Sequence, residues 1–215
     1  MGTMRFLKEN KNILFMLFMV LILPVFFFGL DEKVVLWIKA FYAVNGNIYS
    51  LFHSIDPFVN FIGHGATLII LAFLIWLVGR FLDQRAYETG RALFISLVTS
   101  ALVVQVMKHL VGRARPKLTE KFLVVGPSLK SGYDSFPSGH TTLAFTLASV
   151  LSHHLPRYRI LFYTFAIVVC FERVEDGAHF PSDVLAGALL GLIIGNLLSF
   201  KSREQSVQDN SKVQQ

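Results

Sequence analysis

The sequence predicts an all-α fold, a polytopic membrane helical bundle with six transmembrane helices and a short interfacial helix. The 215-residue chain is 53% hydrophobic and 13% aromatic, with 21 Phe, whereas charged residues make up only 16%. Its apolar residues form continuous runs, and several of these runs are close to the length of about 20 residues that a helix needs to cross a bilayer. Because these runs are continuous and do not alternate with polar residues, they favour helices over the strands of a barrel.

Six apolar segments are the predicted membrane spans. They are Ile13 to Leu30, Thr67 to Leu82, Ala92 to Met107, His140 to Leu155, Ile160 to Phe171 and Val184 to Phe200. Because the connections are short, residues 1–200 are predicted to form one membrane-embedded domain. The polar, aperiodic segment 201–215 is predicted to be a disordered tail.

The interfacial helix is predicted between the first two spans. Val34 to Phe52 has apolar residues at helical spacing, together with Trp37 and tyrosines that suit a membrane interface. We therefore expect an amphipathic helix along the membrane surface. Asn45-Gly46-Asn47 is typical of a turn, and Asp56-Pro57 is predicted to mark another helix boundary.

The distribution of charge and the cysteine content limit how the chain can be oriented in the membrane and which kind of partner it can bind. An even number of spans places both termini together, and the slight excess of Lys and Arg on that side predicts cytoplasmic termini in the cell (inner, cytoplasmic) membrane. The net charge of +6 comes from residues between apolar spans, which favours a phosphate-bearing partner or anionic lipid over nucleic acid. Cys170 is the only cysteine, so a disulfide within the chain and a cysteine metal cluster are excluded. The sequence does not indicate an oligomeric state.

The first polar cluster, Lys108 to Pro116, follows the third predicted span. If the helix continues to the proline, Lys108 and Arg115 lie two turns apart on one face. Two cations could then converge on one anion. Taken alone, this cluster is explained more simply by a basic collar that reaches from the membrane edge into water, and both interpretations stay open.

The second cluster, Ser135 to Thr142, precedes the fourth span. Ser138 is the predicted N-cap, and Gly139 permits close approach of another group to the backbone. The free amides of this helix start suit a phosphate oxygen, and His140 could donate a proton to a departing oxygen. A capped turn carrying an interfacial histidine is the alternative.

The third cluster, Glu172 to Asp183, joins the last two spans. His179 and Asp183 are four residues apart across a proline that is predicted to open the last helix. A carboxylate bonded to one imidazole nitrogen would leave the other as a nucleophile. A salt-bridged loop is the alternative for this cluster alone. Under the six-span layout all three clusters lie on the extracytoplasmic side, and a shared anionic site explains that grouping.

The three clusters together resemble the motifs of the type 2 phosphatidic acid phosphatases, also called lipid phosphate phosphatases. Those motifs are Lys, six residues and Arg-Pro; Pro-Ser-Gly-His; and Ser-Arg, five residues, His, three residues and Asp. The matching residues are Lys108, Arg115 and Pro116, then Pro137, Ser138, Gly139 and His140, then Arg173, His179 and Asp183. Glu172 stands where the family has Ser, which removes a hydroxyl and adds a negative charge beside Arg173.

The resemblance implies a membrane phosphatase that uses neither a metal nor another cofactor and acts on a lipid phosphate at the extracytoplasmic face. It implies that His179 attacks phosphorus to form a phosphohistidine, that Asp183 orients His179, and that His140 protonates the leaving group. The implied phosphate-binding residues are Lys108, Arg115, Ser138, Gly139 and Arg173.

The substrate is left open among several lipids. The stretch 177–183 resembles that of bacterial lipid A and polyprenyl diphosphate phosphatases, and phosphatidylglycerophosphate is a further candidate. A soluble sugar phosphate is a different substrate class. A lipid phosphotransferase and a non-catalytic membrane anion transporter are the alternative functions. The remaining histidines, which lack a carboxylate at matching spacing, are predicted to be interfacial: His53, His64, His109, His153 and His154.

Overall fold

The computed structural model describes residues 20–213. Within that range regular structure is helical, apart from an antiparallel bridge between Arg113 and Val124. An N-terminal helical segment, residues 20–30, ends in the π-helix Phe26–Leu30. The helices that follow are α1 (Asp31–Val44), α2 (Gly46–Gly63), α3 (Gly65–Leu82), α4 (Gln84–Val111), α5 (Gly139–His154), α6 (Arg159–Glu175) and α7 (Pro181–Val213). The predicted all-helical fold is confirmed.

Three helices among the described residues are long and apolar enough to cross a membrane: α3, α4 and the Pro181–Ser199 part of α7. The first two contain the second and third predicted spans, and the third overlaps the sixth predicted span from Val184 to Ser199. Helices α5 and α6 have 16 and 17 residues, which is short of the about 20 that a perpendicular span needs. Residues 13–19 of the first predicted span lie outside the described residues. The six-span layout therefore stays a prediction.

The predicted interfacial helix is divided in two. Helices α1 and α2 meet at Asn45, within the predicted turn, where the Asn45 side chain donates to the Phe41 carbonyl at 2.8 Å. The helix boundary predicted at Pro57 is wrong, because α2 continues through it to Gly63. Pro57 cannot donate to the carbonyl four residues earlier, but the turns on either side keep the helix continuous.

Helix α5 lies at the centre of the bundle. One face packs on α3 and α4, and another packs on α6 and α7. The core residues that α5 contributes are Leu143, Ala144, Phe145, Ala148 and Val150. In contrast, α3 leaves large apolar side chains such as Ile70 and Leu77 exposed, which suits a helix that faces lipid.

A row of glycines brings α7 against α5. A Cβ atom on Gly191 would lie 2.4 Å from the Thr142 carbonyl oxygen, and one on Gly187 would lie 2.7 Å from the Ser138 carbonyl oxygen. The two backbones are therefore in direct contact, as small residues at four-residue spacing allow in membrane helices. The Ser138 amide also donates to the Asp183 carbonyl at 3.0 Å, so the starts of α5 and α7 are joined.

The loop 112–138 connects the end of α4 to the start of α5. Helix α4 ends at Gly112, whose φ is +61°, a conformation that favours glycine. A Cβ there would also lie 1.8 Å from the Gly126 carbonyl oxygen. The sharp turn directs Arg113 into the bundle, and the Ser135 amide then donates to the Arg113 carbonyl at 3.0 Å.

Helix α7 extends past the predicted span end at Phe200 to Val213. The polar segment for which composition predicts disorder is thus helical up to residue 213, and its Lys, Arg, Glu and Gln residues are good helix formers. The division of the chain into a domain, 1–200, and a tail, 201–215, stays a prediction.

Candidate active site

Lys108 and Arg115 converge, although the helix between them does not continue as predicted. Helix α4 stops before Gly112, so Arg115 reaches Lys108 from the following loop. Both cations contact Asp134: Arg115 Nε and Nη2 donate to its two oxygens at 2.9 and 2.6 Å, and Lys108 Nζ lies 3.4 Å from Oδ2. Burial raises the pKa of Asp134, but the hydrogen bond from Arg115 and the charge of Lys108 outweigh it and lower the pKa to about 2. Asp134 was not predicted.

Ser138, Gly139 and His140 form the start of α5. Ser138 holds the N-cap position, yet its side chain makes no capping bond. Within residues 20–213, Ser138 Oγ and His140 Nε2 are buried and find no hydrogen-bond partner. A Cβ on Gly139 would lie 3.8 Å from Lys108 Nζ. This helix start therefore presents unused polar atoms beside a cation, which suits an anionic ligand.

His179 lies in the loop between α6 and α7 and is only 2% exposed. Its Nδ1 is 2.7 Å from the Ser135 carbonyl oxygen. Because a carbonyl can only accept, the hydrogen sits on Nδ1 and Nε2 keeps its lone pair. Burial lowers the pKa of His179 although the Asp183 carboxylate opposes this, so the ring is held neutral.

The sequence predicted a hydrogen bond between Asp183 and one imidazole nitrogen of His179, and here the structure differs. Asp183 Oδ2 lies 3.8 Å from Nδ1, which is beyond hydrogen-bond distance. The carboxylate is instead held by three donors: Ser135 Oγ at 2.6 Å, the Phe180 amide at 2.8 Å and Arg113 Nη1 at 2.6 Å. Ser135 therefore links the two residues, since its carbonyl accepts from His179 and its hydroxyl donates to Asp183.

Arg113 is fully buried behind the site. Besides Asp183, it donates from Nη1 to Ser182 Oγ and from Nη2 to Asp31 Oδ2, each at 2.7 Å. The rings of Phe27 and Phe180 lie 4.6 and 4.3 Å from its guanidinium carbon. The motif spacing selected Arg115 instead, and nothing in the sequence connects Asp31 to a residue 82 positions away.

The backbone of Arg173 is hydrogen-bonded to that of His179. Its carbonyl accepts from the His179 amide at 3.1 Å. Its Nε and Nη2 are both bonded to the carboxylate of Glu172. The residue that departs from the family motif thus forms a buried ion pair with a predicted phosphate ligand.

The side chains of the second and third motifs share one site. The ring of His140 lies within electrostatic range of Arg173, His179 and Lys108. His64, predicted to be interfacial only, also contacts His140, with ring centroids 5.7 Å apart. Among the described residues, no group of three or more His, Cys, Asp or Glu side chains is placed to hold a metal ion.

A family model described as PAP2 superfamily matches residues 89–205, which include all three motifs and more than half of the chain. The chain belongs to the PAP2 superfamily. The family resemblance drawn from the motifs is therefore confirmed, and the lipid and membrane character of the named relatives agrees with the apolar helices.

Several relatives of this PAP2 protein are named as phosphatases. It is 34% identical over 144 residues to the lipid A 1-phosphatase of Rhizobium etli, covering 60% of this chain and 62% of that protein. It is 28% identical over 184 residues to the undecaprenyl-diphosphatase of Sulfolobus acidocaldarius, covering 83% and 84%. The chain thus spans about three fifths of the length of the lipid A 1-phosphatase that it matches.

Solved structures share the fold. A PAP2-type phosphatidylglycerolphosphate phosphatase from Bacillus subtilis aligns with a TM-score of 0.66 at 24% identity, covering 91% of this chain and 97% of that one. LpxE of Aquifex aeolicus aligns with a TM-score of 0.53 at 27% identity, covering 76% and 93%. The helical arrangement is therefore that of PAP2 membrane phosphatases.

Proposed function

We propose that this protein hydrolyses a phosphomonoester or diphosphate of a membrane lipid through a phosphohistidine intermediate at the extracytoplasmic face. The candidate lipids are lipid A, a polyprenyl diphosphate and phosphatidylglycerophosphate, because relatives carry names of these three kinds. One observation carries the proposal. Ser138 Oγ and His140 Nε2, two buried polar atoms without a partner among the described residues, lie in the same site as a histidine whose Nε2 keeps its lone pair.

In the first step His179 Nε2 attacks phosphorus. A P–N bond forms while the bond from phosphorus to the leaving oxygen breaks, and His140 transfers a proton to that oxygen. The other phosphate oxygens are bound by Lys108, Arg115, Arg173, Ser138 and the Gly139 amide. These charges and dipoles are in place before the reaction, where they stabilise the transferring group.

In the second step water attacks the phosphohistidine. His140 takes a proton from the water, the P–N bond breaks, and inorganic phosphate leaves. The cycle therefore returns both histidines to their starting protonation states. Three fixed cations supply the charge stabilisation that a metal ion provides in other phosphatases, so the reaction is proposed to be metal-independent.

An apolar groove of about 510 Å³ supports a lipid substrate over a soluble one. Its walls come from the N-terminal segment, α1, α6 and α7, and include Cys170, Pro181 and Val184. Pro181 and Val184 flank Asp183, and Cys170 Sγ lies 3.7 Å from Thr141 Oγ1, next to His140. We assign the hydrocarbon chain of the substrate to this groove, so dispersed lipid phosphates should outcompete sugar phosphates.

The decisive experiment measures phosphate release by the purified protein in detergent with a chelator present. Wild type should turn over a lipid phosphate, His179→Ala should fall to background, and His140→Ala should lose about 10² to 10⁴-fold as a missing general acid does. His109→Ala is the matched control, because His109 contacts the Ser128 carbonyl instead of the site. Activity abolished by chelator, or kept in His179→Ala, contradicts the mechanism.

Product analysis with added alcohols separates hydrolysis from phosphotransfer.

A further inference from the structure

A buried charge network lies behind the nucleophile. The guanidinium of Arg113 bridges two carboxylates, Asp31 on one side and Asp183 on the other, at 2.7 and 2.6 Å. Ser182 closes the network, since its amide donates to Asp31 Oδ1 at 2.9 Å and its hydroxyl contacts both Asp31 and Arg113. All three charged side chains are at most 3% exposed, so water screens them little.

The network has one positive and two negative groups. Burial raises the pKa of Asp31, but both its oxygens face hydrogen-bond donors from Ser182 and Arg113. The Arg113 guanidinium at 2.7 Å and the Ser182 amide at 2.9 Å donate to these oxygens, and charge-assisted bonds of this kind favour the ionised carboxylate. The network thus carries an excess of one negative charge beside a neutral His179.

Phosphoryl transfer changes the charge that this network faces. When His179 Nε2 bonds to phosphorus while Nδ1 keeps its hydrogen, the ring becomes cationic. The positive charge of the phosphorylated ring then balances the excess negative charge of the network. In the enzyme before phosphorylation, where the ring is neutral, this charge is not balanced. Interactions that strengthen along the reaction in this way accelerate the chemical step instead of substrate binding.

We propose that Asp31 and Arg113 are positioning residues that act through Asp183 to favour phosphorylation of His179. The inference rests on the proposed function and adds two residues outside the roles assigned from the motifs. Arg113 fixes the carboxylate of Asp183, and Asp31 supplies the charge that leaves the network negative. Neither residue contacts the phosphate in this scheme.

The test is Asp31→Asn, which keeps the size of the side chain and removes its charge. We expect kcat and the rate of phosphohistidine formation in rapid-quench measurements to fall by about tenfold or more, and KM to change by less than about twofold. Glu120→Gln is the matched control. Its carboxylate is exposed and paired with Lys39 at 2.7 Å, so this variant should behave as wild type.

The outcomes separate this inference from the proposed function. If wild type releases no phosphate from any lipid, the proposed function fails. If wild type turns over and folded Asp31→Asn has an unchanged kcat, or a change in KM alone, the positioning role is overturned. Should Asp31→Asn not fold, Arg113→Lys replaces it, because one ammonium keeps the charge but cannot bridge both carboxylates. A selective fall in kcat supports the inference there, and an unchanged kcat overturns it.

Discussion

Under the proposed mechanism, the carboxylate of Glu172 weakens the attraction between Arg173 and a bound phosphate. Its carboxylate bonds two of the guanidinium nitrogens, in a position where the family motif has a serine hydroxyl. A phosphate oxygen must therefore share or displace these contacts. The ion pair still orients Arg173, because both side chains are buried and each restricts the other.

Replacing Glu172 should strengthen the binding of phosphate. In Glu172→Gln a buried negative charge beside Arg173 is lost, so we expect the inhibition constant of inorganic phosphate to fall by about threefold to tenfold. Steady-state inhibition assays measure it. Glu120→Gln is the control, because Glu120 is exposed and paired with Lys39 at 2.7 Å. Weaker phosphate binding in Glu172→Gln would show that orientation of Arg173 matters more than its free charge.

Motif spacing predicted which side chains gather in the site but not how they are held. Lys108, His140 and His179 could be found because each stands at a defined distance from the other residues of its motif. Asp134 and the Ser135 carbonyl could not, since a turn preceding α5 places them and a backbone oxygen has no sequence signal. Long-range partners such as Asp31 depend on the tertiary fold alone.

The contact between α5 and α7 is what sets the distance between the two halves of the site. Helix α5 carries His140 and α7 carries Asp183, and the glycine row allows their backbones to touch. Any side chain added on this row must push the helices apart. The site should therefore respond to changes two or more turns away from it.

Gly191→Ala tests this coupling. A methyl group 2.4 Å from the Thr142 carbonyl oxygen cannot be accommodated without a shift, and such overpacking costs about 1–3 kcal/mol. We expect a lower thermal midpoint in detergent together with a reduced kcat. Gly46→Ala is the control, because no atom of the described residues lies within 4 Å of a Cβ atom at that position. An unchanged midpoint in Gly191→Ala would mean that the contact is looser than described.

The presence of a helix could be predicted where a long apolar run requires it, but the residues at which helices end could not be predicted as well. The apolar runs within α3, α4 and α7 satisfy a requirement of the bilayer itself, so composition suffices to find them. Helix ends depend on single residues: Gly112 stopped α4 short of the predicted proline, and Pro57 failed to stop α2. Neighbouring contacts decide such cases, and the sequence does not show them.

At the scale of the whole molecule, the orientation in the membrane decides which face meets the substrate. The loop 112–138 lies at the same end of α5 as the site, and the short turn Pro156–Tyr158 lies at the other end. The proposed layout puts the loop outside the cell and the turn inside. Both carry exposed residues suitable for labelling, Leu129 and Arg157.

Cysteine labelling tests that orientation. In a Cys170→Ser background, which lacks cysteine, Leu129→Cys should react with a membrane-impermeant maleimide on intact cells. Arg157→Cys should react only after the membrane is opened, and so serves as the internal control. Retained phosphatase activity verifies that each variant is folded. The reverse labelling pattern would place the site in the cytoplasm.

The link between Asp31 and the last helix also affects when the enzyme becomes competent during synthesis. Asp31 emerges from the ribosome 151 residues before Ser182, and the direct contacts between them form only after α7 has been inserted. A chain in which α7 is not yet inserted therefore lacks the complete surroundings of His179. Under the proposed function, hydrolysis of lipid phosphates is then confined to molecules in which α7 is in place.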